Sequence, residues 1–206
     1  MAGDRLASVT GALLLGGASS RMGGDKASRP VGGVPAATRL ARRLDALFEE
    51  VLLVGGHPPA DAPGRRVPDP TGGPRCALRG LVGALEAAQA PHVLVLATDQ
   101  LVVTPALLLA LAARADADAV VPVTEGRVQP LCAVYRREAV LPVARGHLAE
   151  GRLALRGLLE VLDVAWLEGA DLEAVAPGGT ALRAANTPEA WDALEAALSR
   201  RGEAPR

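Results

Sequence analysis

Short apolar runs alternate along the chain with longer segments in which apolar residues recur at helical spacing. The apolar runs predict strands at about Thr10–Leu15, 51–54, 92–97, 119–123, 130–135 and 163–168. The helical spacing predicts helices at 38–48, 77–88, 138–144 and 152–160, and the threonine–proline pairs at 104–105 and 187–188 predict two further helix starts. The proline- and glycine-rich segment 57–74 predicts a loop. Strands that alternate with helices indicate an α/β fold with a Rossmann-like, doubly wound, mostly parallel sheet flanked by helices.

Three polar or glycine-rich segments follow directly after predicted strands. They are the loop Gly16–Lys26, the pair Gly55–Gly56, and Asp99. In open parallel sheets ligands bind outside the carboxyl ends of the strands. We therefore expect these three segments to lie together at one edge of the sheet.

The length of 206 residues suits one domain, which we expect over residues 1–199, with a disordered tail at 200–206. Half of the residues are hydrophobic but only 2% are aromatic, so the core must consist mainly of leucine, valine and alanine. Trp166 and Trp191 are interpreted as packing residues.

The charge balance argues against a nucleic-acid or membrane partner, since 22 basic residues face 23 acidic ones and the net charge is −1. The start of the chain lacks the layout of a signal peptide. The two cysteines, Cys76 and Cys132, form no metal-binding pair and no disulfide framework. Together these features predict a reduced, cytoplasmic setting.

The stretch "LLLGGASSRMGGDK" at 13–26 combines a glycine turn with two cations. Gly16 and Gly17 allow close approach of a ligand to the backbone, while Arg21 and Lys26 suit phosphate oxygens. Neither a P-loop nor a G-x-G-x-x-G pattern is present. The pattern therefore indicates a polyphosphate-binding loop, with an ordinary surface loop as the alternative.

Two aspartates stand at positions where they could serve such a site. Asp99 follows a buried strand and could bind Mg²⁺ together with substrate phosphates, because Mg²⁺ often uses only one or two carboxylates. A helix-capping or solvated aspartate is the alternative. Asp69 precedes a glycine pair, and an ordinary turn residue is the alternative there.

These segments, taken in order, resemble one family. "LLLGGASSRMGGDKASRPVGGVP" is similar to the N-terminal motif of the molybdenum cofactor guanylyltransferases and their MobA-like nucleotidyltransferase relatives. "PDPTGGPRCALRGLVGAL", "VLVLATDQ", "VQPLCAVYRREAVLPV" and "ANTPEAW" resemble later segments of that family, so the similarity extends over about residues 10–195.

The resemblance implies a nucleotide-diphospho-sugar transferase-like fold and transfer of GMP from Mg²⁺-bound GTP to molybdopterin, with release of pyrophosphate. It implies transient contact with proteins that deliver molybdopterin or receive the product. The implied catalytic residues are Arg21, Lys26 and Asp99, with Asp99 as the metal ligand. The implied nucleotide-binding residues are Leu14, Leu15, Gly16, Gly17, Lys26, Asp69 and Asp99, the first three through their backbone. Asn186 corresponds to an asparagine expected near the acceptor or the metal.

The chain departs from the family pattern at three points. Leu15 replaces an alanine and is expected to place a bulkier side chain beside the nucleotide, Arg75 begins the helix after Asp69, and "DQLVV" lacks a proline after Asp99. The alternatives are therefore CMP transfer to molybdopterin, nucleotide transfer to a sugar or other phosphate, and a catalytically idle nucleotide-binding regulator. Arg152 and Arg156 are expected to share a helix face that is either solvated or bound to the anionic acceptor.

Overall fold

The computed structural model describes residues 4–16, 26–69, 75–114, 116–185 and 187–200. The strands are β1 (Val9–Leu14), β2 (Pro30–Val31), β3 (Val34–Pro35), β4 (Val51–Val54), β5 (Arg65–Val67), β6 (His92–Ala97), β7 (Ala119–Thr124), β8 (Arg127–Val128), β9 (Cys132–Arg136) and β10 (Val164–Leu167). The helices are α1 (Ala36–Asp45), α2 (Ala77–Ala87), α3 (Pro105–Ala112), α4 (Arg137–Ala149), α5 (Leu155–Leu159), α6 (Gly169–Val175) and α7 (Pro188–Arg200), and a 3₁₀ turn spans Pro177–Leu182.

The main sheet has the strand order β10-β7-β9-β6-β1-β4-β5, with β8 paired to β7 as a hairpin. β1 lies between β4 and β6 and is parallel to both. β9 is antiparallel to both of its neighbours, β6 and β7. It follows that β7 and β10 run in the same direction as β1, and all of these strands end at the same edge. The prediction of a mostly parallel sheet is confirmed.

Two hydrophobic cores cover the two faces of the sheet, as a doubly wound fold requires. One face packs against α1, α3, α6, the 3₁₀ turn and α7, and the other packs against α2, α4 and α5. Of the four aromatic residues, Phe48, Tyr135 and Trp191 are fully buried. Among the described residues, no helix has the length and apolar character that crossing a bilayer would require.

The predicted helix start at Thr104–Pro105 is confirmed in its atomic detail. The Thr104 side chain accepts a hydrogen bond from the Leu107 backbone N–H over 3.3 Å, which satisfies a donor that α3 leaves unpaired. Thr187 has the same role at α7, where its side chain accepts from the Ala190 N–H over 3.2 Å.

Several elements differ from the sequence predictions. β5 lies within the segment 57–74 that was predicted as loop, and β8, α6 and the 3₁₀ turn were not predicted. The predicted helix 152–160 begins only at Leu155, so Arg152 and Arg156 do not share a helix; Arg152 instead pairs with Glu150 over 2.6 Å. Of the predicted tail, Arg200 is the last residue of α7, and residues 201–206 lie outside the described residues.

A partly buried carboxylate joins strands at the edge of the sheet opposite to the strand ends. The Glu50 carboxylate accepts hydrogen bonds from Thr10 Oγ1 (2.7 Å), the Gln89 N–H (2.9 Å) and Arg65 Nη2 (2.6 Å). Burial raises the pKa of Glu50, but the hydrogen bonds from Arg65, Gln89 and Thr10 outweigh it and hold the pKa below its ordinary value. The ionised carboxylate therefore stabilises the fold.

Replacing Glu50 by glutamine should lower the free energy of unfolding by about 1–2 kcal/mol near neutral pH, because the shape is kept and the charge is lost. The pKa of Glu50 is lower in the folded chain than in the unfolded chain. The Glu50 charge therefore makes its full contribution to the free energy of unfolding above the ordinary glutamate pKa of about 4.3. It is lost as the pH falls through the folded value. Urea unfolding of wild type and Glu50→Gln over a series of pH values measures the difference.

The adjacent Glu49→Gln is the matched control, because Glu49 is exposed and lies one residue away. It should leave the free energy of unfolding nearly unchanged. A difference between wild type and Glu50→Gln that persisted undiminished in acid would contradict the role of the Glu50 charge.

Candidate active site

The ends of three parallel strands bring the glycine turns and Asp99 together. Leu14 is in register with Val54 of β4 on one side and with Ala97 of β6 on the other. The three strands therefore end at the same level, one or two residues before Gly16, Gly55–Gly56 and Asp99. The predicted convergence at one edge is confirmed for Gly16, Gly55, Gly56 and Asp99, while residues 17–25 of the loop lie outside the described residues.

Lys26 and Asp99 form an ion pair at this edge. Lys26 Nζ lies 3.5 Å from Asp99 Oδ2, and the two side chains are 16% and 21% exposed. The backbone behind the lysine is anchored on the start of α1, because the Ala37 N–H donates to the Ala27 carbonyl over 3.0 Å. Ala27 itself is fully buried. This hydrogen bond and the burial of Ala27 fix the position of the backbone next to Lys26.

The C-terminal segment also reaches Asp99. The Ala185 N–H donates to the Asp99 backbone carbonyl over 2.9 Å, so the residue that precedes Asn186 is attached to the predicted metal ligand. Three of the predicted site residues, Gly17, Arg21 and Asn186, lie outside the described residues.

Asp69 lies against the two glycine turns on the other side of β1. A Cβ atom at Gly55 would clash with Asp69 Oδ1, and a Cβ at Gly16 would lie 3.3 Å from the same atom. Gly55 also has a φ of 71°, a conformation that favours glycine. The Asp69 carboxylate thus occupies the space that a Cβ at Gly55 would need and makes a tight contact at Gly16, an arrangement that the sequence did not predict.

A small cavity of about 20 Å³ adjoins Asp69, with Leu14, Val54 and Gly80 in its wall. Arg75 stands at the same cavity, with its Nε 3.9 Å from Asp69 Oδ2. The Arg75 side chain is 77% exposed, so this pair is screened by solvent and contributes little to stability.

The structure corrects the expectation for Leu15. Its side chain is 6% exposed and packs in the core on the α1 face, away from the cavity beside Asp69. Leu14 is the residue whose side chain lines that cavity. The Leu15 N–H donates to the Val54 carbonyl over 2.9 Å, so the pairing with β4 continues one residue beyond the end of β1.

The single carboxylate of Asp99 suits a divalent cation that binds together with a phosphate-containing substrate. Among the described residues, no group of three or more histidine, cysteine, aspartate or glutamate side chains could enclose a metal ion. One partly exposed carboxylate is what Mg²⁺ requires when phosphate oxygens and waters supply the other ligands. The geometry therefore fits Mg²⁺ bound with a polyphosphate.

A larger cavity of about 570 Å³ opens beside the Ala185 segment, between the β7–β8 hairpin, the 3₁₀ turn and α7. Arg127, Gln129 and Arg183 contribute polar groups to its lining. The hairpin turn is tight, with Glu125 at φ 51° and Gly126 at φ 69°. Sequence analysis did not identify this cavity, because its arginines lie in short segments without a recognisable pattern.

The family model for the MobA-like NTP transferase domain matches residues 11–166. The chain belongs to the MobA-like NTP transferase family. It is accordingly a nucleotidyltransferase, as the N-terminal motif predicted.

Curated relatives of this MobA-like chain match it over nearly its whole length. A probable molybdenum cofactor guanylyltransferase from Chloroflexus aggregans is 35% identical over 201 residues, which cover 92% of this chain and 95% of the relative. A molybdenum cofactor guanylyltransferase from Desulfosudis oleivorans is 29% identical over 195 residues, covering 92% of this chain and 96% of the relative.

Solved structures share the fold of this MobA-like chain. Molybdopterin-guanine dinucleotide biosynthesis protein A from Archaeoglobus fulgidus superposes with a TM-score of 0.79 at 20% identity, covering 93% of this chain and 99% of the other. The 2-C-methyl-D-erythritol 4-phosphate cytidylyltransferase from Thermus thermophilus gives a TM-score of 0.68 at 21% identity, covering 92% and 98%. The predicted nucleotide-diphospho-sugar transferase-like fold is confirmed.

The packing of Gly55 against Asp69 can be separated from its backbone conformation by two alanine substitutions. Gly126→Ala adds a Cβ at a similar φ with nothing within 4 Å and should cost about 1 kcal/mol of unfolding free energy. Gly55→Ala should cost about 2–4 kcal/mol, because the new Cβ also clashes with the Asp69 carboxylate. Urea unfolding measures both, and equal losses would contradict an energetic contribution from the packing of Asp69 against Gly55.

Proposed function

We propose that this chain transfers GMP from Mg²⁺-bound GTP to molybdopterin and releases pyrophosphate. The observation that carries the proposal is the Lys26–Asp99 pair at the ends of the parallel strands, where a cation and a partly exposed carboxylate lie 3.5 Å apart. Membership of the MobA-like family and the names of its guanylyltransferase relatives support the choice of substrates.

The donor nucleotide is assigned to the part of the edge between β1 and β4. Its base and ribose face the backbone of Leu14, Leu15 and Gly16 and the carboxylate of Asp69. The packing of Asp69 against Gly16 and Gly55 supports this assignment, because it places a carboxylate beside the backbone at the end of β1. Gly17 would maintain the turn that follows.

Transfer requires an acceptor phosphate oxygen to attack the α-phosphorus of GTP while the bond to the bridging oxygen of pyrophosphate breaks. Both reactants are anionic, so charge neutralisation and positioning supply the rate acceleration. Lys26 and Arg21 neutralise phosphate oxygens of the donor and of the leaving pyrophosphate. Asp99 would hold Mg²⁺, and the ion would supply further neutralisation of the phosphate charge.

The acceptor is assigned to the side of Asp99 reached by the C-terminal segment. The 570 Å³ cavity there has two arginines, Arg127 and Arg183, in its lining, and arginine suits phosphate recognition. Asn186, which follows the residue bonded to Asp99, would contact the acceptor or the metal. The active unit in this proposal is a single domain over residues 1–199, working in the cytoplasm with transient protein partners that deliver molybdopterin or receive the product.

A nucleotide panel tests the donor assignment. With Mg²⁺, GTP should raise the melting temperature more than CTP, ATP or UTP, because binding to the native state alone stabilises it by about 2.7 kcal/mol at a hundredfold excess over Kd. Removing the metal with a chelator should abolish most of that shift. Selective stabilisation by CTP would contradict the proposal and indicate CMP transfer. GTP binding without pyrophosphate release in the presence of molybdopterin would indicate a catalytically idle regulator.

Alanine at Asp99 or at Lys26 should lower kcat by about 10²–10³-fold, because each change removes one charge that the transition state needs. The melting temperature should fall by no more than about 2–4 °C, equivalent to about 1 kcal/mol, since both side chains lie at the edge of the core. Pyrophosphate release and thermal unfolding measure the two effects.

Asp45→Asn is the matched control, because the Asp45 side chain is 47% exposed and pairs with Arg5 over 3.2 Å beside the opposite edge of the sheet. It should leave kcat unchanged. Turnover at the wild-type rate in Asp99→Ala or Lys26→Ala would refute the catalytic assignment.

A further inference from the structure

Trp166 differs from the other aromatic residues of the chain. The sequence contains four aromatic side chains, and Phe48, Tyr135 and Trp191 are all 0% exposed. Trp166, in β10, is 43% exposed, so its interpretation as a packing residue is wrong. A large apolar side chain is therefore open to solvent in the last strand of the sheet.

The backbone of β10 has hydrogen-bonding groups on a side that faces no other strand. β10 ends the sheet and pairs with β7, with Val164 in parallel register with Ala119. The Ala119 N–H donates to the Asp163 carbonyl over 3.1 Å, which places Asp163 and Ala165 on the side that bonds to β7. The N–H and C=O groups of Val164 and Trp166 therefore point away from the sheet. In the described part of the chain, no other segment forms a backbone hydrogen bond with them.

The two outer strands of the sheet differ in their protection. Outer strands of soluble proteins are commonly kept from pairing with other chains by charged residues, proline or a bulge. β5, at one end of the sheet, contains Arg65 and Arg66. β10, at the other end, has the sequence Val-Ala-Trp-Leu, which contains no charge, proline or glycine. Such an unprotected outer strand is suited to pair with a further strand.

We propose that two copies of this chain pair through β10, in antiparallel orientation about a two-fold axis at Ala165. This register places Val164 of one copy opposite Trp166 of the other. Residues opposite each other at such a position exchange both of their backbone hydrogen bonds. The two-fold axis repeats the pair, so every outward N–H and C=O group of Val164 and Trp166 gains a partner. The two sheets then form one continuous sheet.

The side chains of β10 favour a second copy over a strand of a different protein. Val164 packs against the core on the α5 face, and side chains alternate along a strand, so Trp166 lies on that same face. The proposed register places the Val164 side chain of one copy against the exposed indole of the other, twice in the dimer. Aromatic and β-branched residues opposite each other stabilise pairs of strands. The strand is therefore complementary to itself.

The same register keeps the flanking carboxylates apart. Asp163 directly precedes β10, and Glu168 directly follows it. With the axis at Ala165, Asp163 lies opposite Leu167 of the other copy. Glu168 lies opposite Leu162 of the other copy. Like charges directly opposite each other would be destabilising, and this register avoids them.

Sedimentation equilibrium of the full chain over a concentration series tests the proposal. The strand has only four residues, so we expect a small interface and a reversible dimer. The apparent mass should rise with concentration from the 21.0 kDa of one chain toward twice that value. Trp166→Lys should weaken dimerisation by about tenfold or more, because it removes both contacts between Val164 and Trp166 and places two charges in the interface.

Leu109→Lys is the matched control, because Leu109 is an apolar side chain of α3 with a similar exposure of 40%. It should leave dimerisation unchanged. Melting temperatures close to that of the wild type, measured at a concentration where the chain is monomeric, should show that the variants are folded.

A cysteine at the axis tests the register. Ala165 lies opposite Ala165 of the other copy in a non-hydrogen-bonded pair, where Cα atoms are about 4.5 Å apart, a distance that a disulfide spans. Ala165→Cys should therefore form a covalent dimer under mild oxidation, seen on a non-reducing gel. Val164→Cys is its matched control, because the two copies of that residue would lie on a diagonal about 7–8 Å apart, and it should cross-link far less. The wild type, with Cys76 and Cys132, gives the background.

Three results would overturn the proposal. The first is a mass of 21.0 kDa at every concentration, which would show that no second copy pairs with β10. The second is a dimer that Trp166→Lys does not weaken relative to Leu109→Lys. The third is cross-linking of Val164→Cys as complete as that of Ala165→Cys, which would contradict the two-fold axis at Ala165.

Discussion

The in-register pairing of β1 with β4 and β6 is the constraint on which the site depends. Leu14 is level with Val54 on one side and with Ala97 on the other, so three chain segments leave the sheet at one height. Parallel strands buried on both faces have little freedom to slip, because a shift of one residue would turn every core side chain to the wrong face. The positions of Gly16, Gly55 and Asp99 relative to one another are thus fixed largely by apolar packing of the strands that precede them.

The same constraint explains what could be predicted from sequence. Buried parallel strands are nearly continuous apolar runs, so their ends are visible, and the residue after each end can be assigned to a common edge. Lys26 and Asp99 were recognisable on that basis. The orientation of Leu15 was not recognisable, because its neighbour Leu14 has the same apolar character. Only the pleat of β1 decides which of the two side chains lines the Asp69 cavity.

The exposure of Trp166 was not predicted for a related reason. Its strand is short and apolar, but exposure depends on β10 being the last strand of the sheet, which no local pattern reveals.

Charge compensation keeps two carboxylates available at one sheet edge. Asp99 is paired with Lys26, and Asp69 with Arg75 at a longer distance. The Arg75 side chain is 77% exposed, whereas the Lys26 side chain is only 16% exposed. In the proposed function, a polyphosphate would bind beside Lys26 and its metal ion beside Asp99, so that each group would keep a partner of opposite charge. Residues of opposite charge placed in advance reduce the reorganisation that binding and transfer would otherwise require.

The C-terminal part of the chain belongs to this arrangement, although the family model ends at residue 166. Trp191 of α7 is fully buried, donates from its indole N–H to the Pro30 carbonyl over 3.3 Å, and has the Arg29 guanidinium 5.1 Å from its ring centre. These contacts hold the β2–β3 hairpin, which begins four residues after Lys26. The Ala185 N–H meanwhile holds the Asp99 carbonyl. One terminal segment thus restrains the chain next to both members of the central ion pair, so the distance between Lys26 and Asp99 depends on residues that carry none of its chemistry.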